Sequence, residues 1–240
     1  MSTLITTDGI VLHSTHYSES AVIARIFTRT MGVRSFMVKG VRGRHGKVKQ
    51  NQLGPFSHIE LTAYNNPKSD IDYVKEINLR HTAAGTSMVD NALRFFKAEM
   101  LYKTLRNEEP LPALFDWVTA PSTYPAAHQP LLFTLQLSRH LGIEPLDNYS
   151  DRTPHFSPDE GHFSASVAVT GNSTAAAIFD PESSSLLHSY LQTLHHARPL
   201  PAATQGQRNR LLDLLLTYYS LHLNEFRHFT SHEILHTVLN

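Results

Sequence analysis

The sequence predicts an α+β protein whose two kinds of element are segregated, a small antiparallel barrel first and an all-α domain after it. Three observations carry this. Five short runs rich in β-branched residues, separated by turn signals, fill the first 80 residues. Near Thr82 the apolar spacing changes from alternation to the three-to-four-residue rhythm of helices. Beyond it, apolar faces recur that can bury one another as a bundle. The expected domains are therefore residues 1–80 and 81–240.

Residues 9–15 (GIVLHST) open the first strand, bounded by the turn pair Asp8-Gly9. Residues 20–28 alternate Val22, Ala24 and Ile26 against Ile23, Arg25 and Phe27, as a strand with one wet face does. Arg29 to Gly32 is a tight connection, and residues 33–39 form the third strand. That hairpin brings Arg25 and Arg29 beside the third strand. Pro55 marks a restart, and residues 56–64 (FSHIELTAY) make the fourth strand. Asn65-Asn66-Pro67 turns the chain into a fifth, residues 71–79. A five-stranded antiparallel barrel of the OB type fits this pattern, and an SH3-like barrel fits it equally.

The helical half begins at residues 87–106, with Ser87 and Asp90 as a capping box. A short helix over 110–120 carries the sole tryptophan, Trp117, and another over 125–141 closes at Gly142. Residues 148–171 are an irregular excursion with room for a small hairpin, whose apolar content includes Phe156 and Phe163. Asp180-Pro181 reads as N-cap and first residue of a helix over 182–197. Residues 205–226 are the most apolar helix and the expected centre of the bundle. Thr230 with Glu233 is the expected cap of a last helix ending at Val238.

Composition excludes several classes. The chain has no cysteine, hence no disulfide and no thiolate zinc site, which fits a reducing compartment and makes the cytoplasm the expected location. No apolar run approaches the roughly 20 residues that span a bilayer. Residues 1–15 hold Asp8 and no basic stretch, so no signal peptide is expected. There is no Walker loop, no G-x-G-x-x-G and no G-x-S-x-G elbow. A net charge of zero hides an asymmetry: eight Lys and Arg stand against two acids in residues 1–50, a local +6.

That charge gathers in residues 33–52 (VRSFMVKGVRGRHGKVKQNQ), a strand broken at Gly40 and followed by a glycine-rich basic segment without a carboxylate. Such charges stay in water or meet an anion, and nucleic-acid phosphate is the expected anion. The candidate DNA-binding residues are Arg25, Arg34, Lys39, Arg42, Arg44, Lys47 and Lys49. Arg34 and Lys39 are expected on fixed scaffold, and residues 42–49 are expected to order when DNA arrives. Phe56 is expected in the barrel core, whereas Phe36 and Tyr64 suit either the core or base stacking.

One motif points elsewhere. His232-Glu233-Ile-Leu-His236 is H-E-x-x-H, which on a helix sets two imidazoles on one face as in zinc hydrolases. Four residues follow His236 and none is a ligand type. With 16 histidines in the chain, the pair reads as coincidence, and no metal or other cofactor is expected. His195-His196 likewise reads as a wet helix end.

Five short blocks stand in order along the first third of the chain: Gly9-Ile-Val-Leu12, Tyr17-Ser-Glu-Ser20, Phe27-Thr28 with Gly32, Val38-Lys39-Gly40 and Leu53-Gly-Pro-Phe56. With these blocks it resembles the N-terminal domain of the RecO family of bacterial recombination mediators. Later the resemblance thins to Tyr218-Tyr219, His222-Leu223 and Ser231-x-Glu233-x-Leu235. It implies an OB domain and a helical domain that bind single- and double-stranded DNA and anneal complementary strands. It also implies partners: the RecR protein, the C-terminal tail of single-stranded-DNA-binding protein and, indirectly, the RecA filament. It implies no bond-breaking activity. Many members carry four cysteines as a zinc site in the helical domain, the first pair falling roughly at residues 148–171. This chain has none, so packing of Phe156 and Phe163 is expected to hold that excursion. A zinc-dependent hydrolase and a protein-binding scaffold are the alternatives.

Overall fold

β1 (Thr3–Ser18) is long because it serves two partners. Its first half pairs antiparallel with β4 (His58–Asn65), and its second half with β2 (Ala21–Thr28). β2 continues through Gly32, whose φ of 67° suits glycine, into β3 (Gly32–Lys39). β5 (Ile71–His81) pairs antiparallel with β4 and parallel with β3, closing a barrel of order β1-β2-β3-β5-β4. This computed structural model describes residues 3–41, 50–66, 68–81, 87–106, 109–165 and 179–239. By contact density the chain divides into two units, Met1–Ser122 and Thr123–Asn240.

Alternation along the strands fills the barrel. Val11, Ile26, Phe36, Val38, Ile59 and Leu61 point inward and are all but fully buried. Phe36 is thus a core residue, and Tyr64 is exposed. The expectation that Phe56 lies in the core is corrected. Its backbone turns left-handed, with φ of 60°, and its ring is half-buried near the Lys97 ammonium, 5.8 Å from the ring centroid. Leu53 of the same block fills the barrel instead.

Gly9 sits where β1 is paired on both sides, opposite Thr28 and Ile59. A Cβ there would lie 2.7 Å from Ile26 Cγ2 and 3.0 Å from Leu61 Cδ2. Both neighbours are core residues with nowhere to move. Gly9→Ala is therefore expected to cost about 1–3 kcal/mol by overpacking. Urea unfolding should show a lower midpoint at an unchanged slope. An unchanged midpoint would mean the barrel relaxes around the methyl group.

The unit that holds the barrel runs on past Thr82 to Ser122, because two helices pack on the strands. α1 (Met88–Thr104) begins at Ser87, whose hydroxyl accepts from the Asp90 amide, and it packs on β1. The expected capping box is only half formed, because the Asp90 carboxylate accepts from the Ser87 hydroxyl and not from its backbone amide. Arg94 Nη2 donates to Ser57 Oγ at 3.2 Å. α2 (Pro112–Thr119) sets Phe115 edge-on to Phe27 at 5.4 Å. A two-pronged Arg29–Asp116 ion pair, at 2.8 and 3.0 Å, fastens it to the β2–β3 turn.

The second unit is built around α5 (Gln205–His222), which packs against α3 (Gln129–His140), α4 (Pro181–His196) and α6 (Ser231–Val238). Leu211, Leu212, Leu215 and Tyr219 are buried along it. The Tyr219 hydroxyl donates to Thr134 O at 2.6 Å and that of Tyr218 to Ile143 O at 2.7 Å. Thr204 and Gln207 form a full capping box, and Asp180 caps α4 by accepting from the Ser183 amide. The expected cap at Thr230 is corrected: it holds the N-cap position of α6, but its side chain makes no capping hydrogen bond.

The excursion contains the small hairpin, β6 (His155–Ser157) paired with β7 (His162–Ser164). Phe156 and Phe163 are direct partners across it, with ring centroids 5.2 Å apart and both rings buried. The preceding segment is fastened to α4. His195 Nε2 lies 2.7 Å from Glu144 Oε1, and Asp147 takes His188 at 2.6 Å and Gln192 at 2.7 Å. His195 is therefore half of a clamp and not a wet helix end.

Candidate nucleic-acid interface

The end of β3 is built by parity. Arg34, Phe36 and Val38 share one face of the strand, and Ser35, Met37 and Lys39 share the other. Phe36 and Val38 fill the barrel, so Lys39 emerges outside and is exposed. Gly40, with φ of 74°, then turns the chain, and its amide and that of Val41 both donate to Ser20 O at 2.8 and 3.1 Å. Val41 and, after the basic segment, Leu53 are both buried in the barrel core. The basic segment thus leaves from and returns to fixed points.

Parity takes Arg34 the other way. Its guanidinium turns into the barrel end, where Nε donates to Asp72 Oδ2 at 2.8 Å. Asp72 is fully buried, and its other oxygen accepts from the Asn66 amide at 3.0 Å. Arg25 stands on the outer face opposite Ser35, and its Nη1 donates to Ser35 Oγ at 3.3 Å. Of the candidate cations, Lys39 is exposed, Arg25 is half-buried and Arg34 is held in an ion pair. Arg42, Arg44, Lys47 and Lys49, with the expectation that this segment orders on DNA, lie outside the described residues.

Lys39 has a neighbour that reading the sequence missed. Its ammonium lies 5.1 Å from the ring centroid of Tyr73, a cation–π contact. Tyr73 is the cross-strand partner of Tyr64. The signal was present in the hairpin itself, where the two tyrosines flank the Asn65-Asn66-Pro67 turn, but the register was needed to pair them. Farther along β4 and β5 the outer face changes character. Arg80 is bonded there by Asp8, at 3.1 Å, and by Glu60. The hydrogen bond to Asp8 and the charge of Glu60 raise the Arg80 pKa above its ordinary value, and the two carboxylates neutralise that end of the face.

His232 and His236 stand on one face of α6, as the motif requires, with ring centroids 5.4 Å apart. Their Nε2 atoms approach one oxygen of Asp213 on α5, at 3.9 and 3.3 Å. Among the described residues no group of three or more His, Cys, Asp and Glu is placed to hold a metal ion. The pair joins α6 to α5, and Glu233 is exposed. Nor is any described helix long and apolar enough to cross a membrane.

A closed five-stranded barrel in this strand order, joined to a helical unit, places the chain in the class of OB-fold proteins. Residues 1–83 match the family described as "Recombination protein O N terminal". The "DNA repair protein RecO" of Christiangramia forsetii is 30% identical over 247 residues, which covers 98% of this chain and 99% of that protein. Its counterpart in Porphyromonas gingivalis is 28% identical, covering 99% and 100%. That of Phocaeicola vulgatus is 28% identical, covering 95% and 96%. The chain belongs to the RecO family of DNA repair proteins.

Proposed function

We propose that this chain is a DNA-binding recombination mediator that binds single- and double-stranded DNA, anneals complementary strands and assists RecA loading on coated single strands. One observation carries the reading beyond the family's repair role. An exposed lysine ends an outer barrel strand, and four further cations follow it within ten residues. Annealing then follows from electrostatics. Lys and Arg displace condensed counterions and lower the repulsion between two strands, while base pairing supplies the specificity. No bond is broken, so the role is non-enzymatic. The RecR protein, the C-terminal tail of single-stranded-DNA-binding protein and the RecA filament are the partners of this reading, and the cytoplasm is its location.

The test is a titration of a labelled single strand at several salt concentrations. If Lys39, Arg42, Arg44, Lys47 and Lys49 each meet a phosphate, log K should fall against log salt with a slope of about −3.5. Lys39→Glu with Arg42→Glu should weaken binding and flatten that slope without altering the thermal transition. A slope near zero in the unmodified protein would sink the reading and favour a barrel that binds protein.

A further inference from the structure

Three features of the outer barrel face converge on one spot. Tyr64, near the end of β4, and Tyr73, near the start of β5, are direct cross-strand partners, and both side chains are exposed, at 44% and 50%. The register shifts between Thr62 and Ala63, so a bulge immediately precedes the pair. Bulges twist a strand locally and re-aim the side chains beside them. The Lys39 ammonium stands over the Tyr73 ring.

These tyrosines differ from the structural ones. Tyr190, Tyr218 and Tyr219 are buried, and each hydroxyl is hydrogen-bonded, to His128, Ile143 O and Thr134 O. Among the described residues neither the Tyr64 nor the Tyr73 hydroxyl has a hydrogen-bond partner. Two large rings held in water, without the polar anchor that buried tyrosines use here, contribute little to the fold. What they offer is two flat π faces beside a cation.

We propose that Tyr64 and Tyr73 form a stacking platform for unpaired nucleobases, with Lys39 holding the adjoining phosphate. This rests on the DNA-binding reading above and gives it a means of telling single strands from duplex. In a duplex the base faces are covered by their neighbours, whereas a single strand can turn them onto the rings. The phosphate term is common to both forms, so the tyrosines should add affinity for the single strand alone. Stacking on an aromatic ring is worth about 5- to 150-fold in affinity per base.

The experiment compares the full chain with Tyr64→Ala/Tyr73→Ala and with Tyr64→Phe/Tyr73→Phe. Three labelled probes are titrated: a mixed-sequence single strand, an abasic strand of equal length and a duplex. The alanine pair should lose about tenfold or more on the single strand. Its affinity for the abasic strand and the duplex, and its salt slope, should stay as they were. The phenylalanine pair should bind as the unmodified protein does. Unchanged single-strand affinity in the alanine pair overturns the platform while leaving DNA binding intact, as does an equal loss on the abasic strand. If the unmodified protein binds none of the three probes, the DNA-binding reading fails and the platform with it.

Discussion

Arg34→Ala should lower the stability of the barrel by about 3–5 kcal/mol, measured by urea unfolding. The reason is the partner it leaves behind. The Asp72 side chain is fully buried, and the Arg34 side chain is only 14% exposed. The Arg34 guanidinium and the Asn66 amide are the bonds that compensate this carboxylate for its lost water. Removing the guanidinium leaves one backbone amide against a buried charge. The loss should be felt at the turn as well, because Arg34 Nη2 also reaches Ser69 O, at 3.4 Å.

A paired substitution separates this cost from any role in binding. Arg34→Met with Asp72→Leu removes both charges and keeps most of the volume, and it should recover most of the lost stability. Lys39→Ala gives the contrast on the opposite face. It removes an exposed ammonium and one cation–π contact, so its cost should stay under about 1 kcal/mol. A DNA-binding defect in Arg34→Ala that disappears in the Met/Leu pair belongs to folding. A defect that persists there belongs to the lost cation. A single variant with wild-type stability would show that the buried pair contributes nothing net.

The contrast between Arg34 and Lys39 also shows how far the sequence could be read. The strands were legible because period-two alternation leaves a mark that burial then obeys. The two cations stand five positions apart, and an odd separation puts them on opposite faces. That fact was in the sequence, and treating both as one presented surface overlooked it. The Tyr64–Tyr73 pairing was less accessible, since a bulge shifts the register just before it and no residue type announces a bulge there. Phe56 takes a left-handed backbone that favours glycine, so its place outside the core had no local signal. The clamp of Glu144 and Asp147 on His195 and His188 joins residues 51 and 41 positions apart, beyond any periodicity. The helices of the second unit were the easiest part. The caps at Ser87, on α1 of the first unit, and at Asp180, on α4 of the second, are local hydrogen bonds between residues three apart.

Phe156→Ala should cost about 3–5 kcal/mol and release the β6–β7 hairpin. Each strand of that hairpin has only three residues, and an isolated two-stranded ribbon is marginal even when longer. The resemblance implies that many family members carry a four-cysteine zinc site whose first pair falls in this region. Here no cysteine exists, and an aromatic cluster occupies the hairpin instead. The Phe156 ring meets Phe163 at 5.2 Å, Phe179 at 4.8 Å and Tyr218 at 5.7 Å, all edge-on. Polar bonds finish the attachment. The Phe156 amide donates to Ser184 Oγ at 3.0 Å, and the Asn148 side chain bonds both the amide and the carbonyl of Phe163. Deleting the central ring opens a cavity among three others and leaves the hairpin to these polar bonds, the Tyr149–Phe163 contact and the bonds to Pro158 O and Gly161 O. Amide exchange over residues 155–164 should then quicken more than elsewhere in the second unit. Phe156→Leu, which keeps part of the volume, should lose less. A chelator separates the two ways of fastening the ribbon. Where zinc is the staple, removing it removes folding free energy directly. In this chain EDTA should leave both the thermal midpoint and the exchange over 155–164 unchanged. A midpoint lowered by EDTA, or an alanine variant within 1 kcal/mol of the original, would show that something other than the aromatic cluster holds the hairpin.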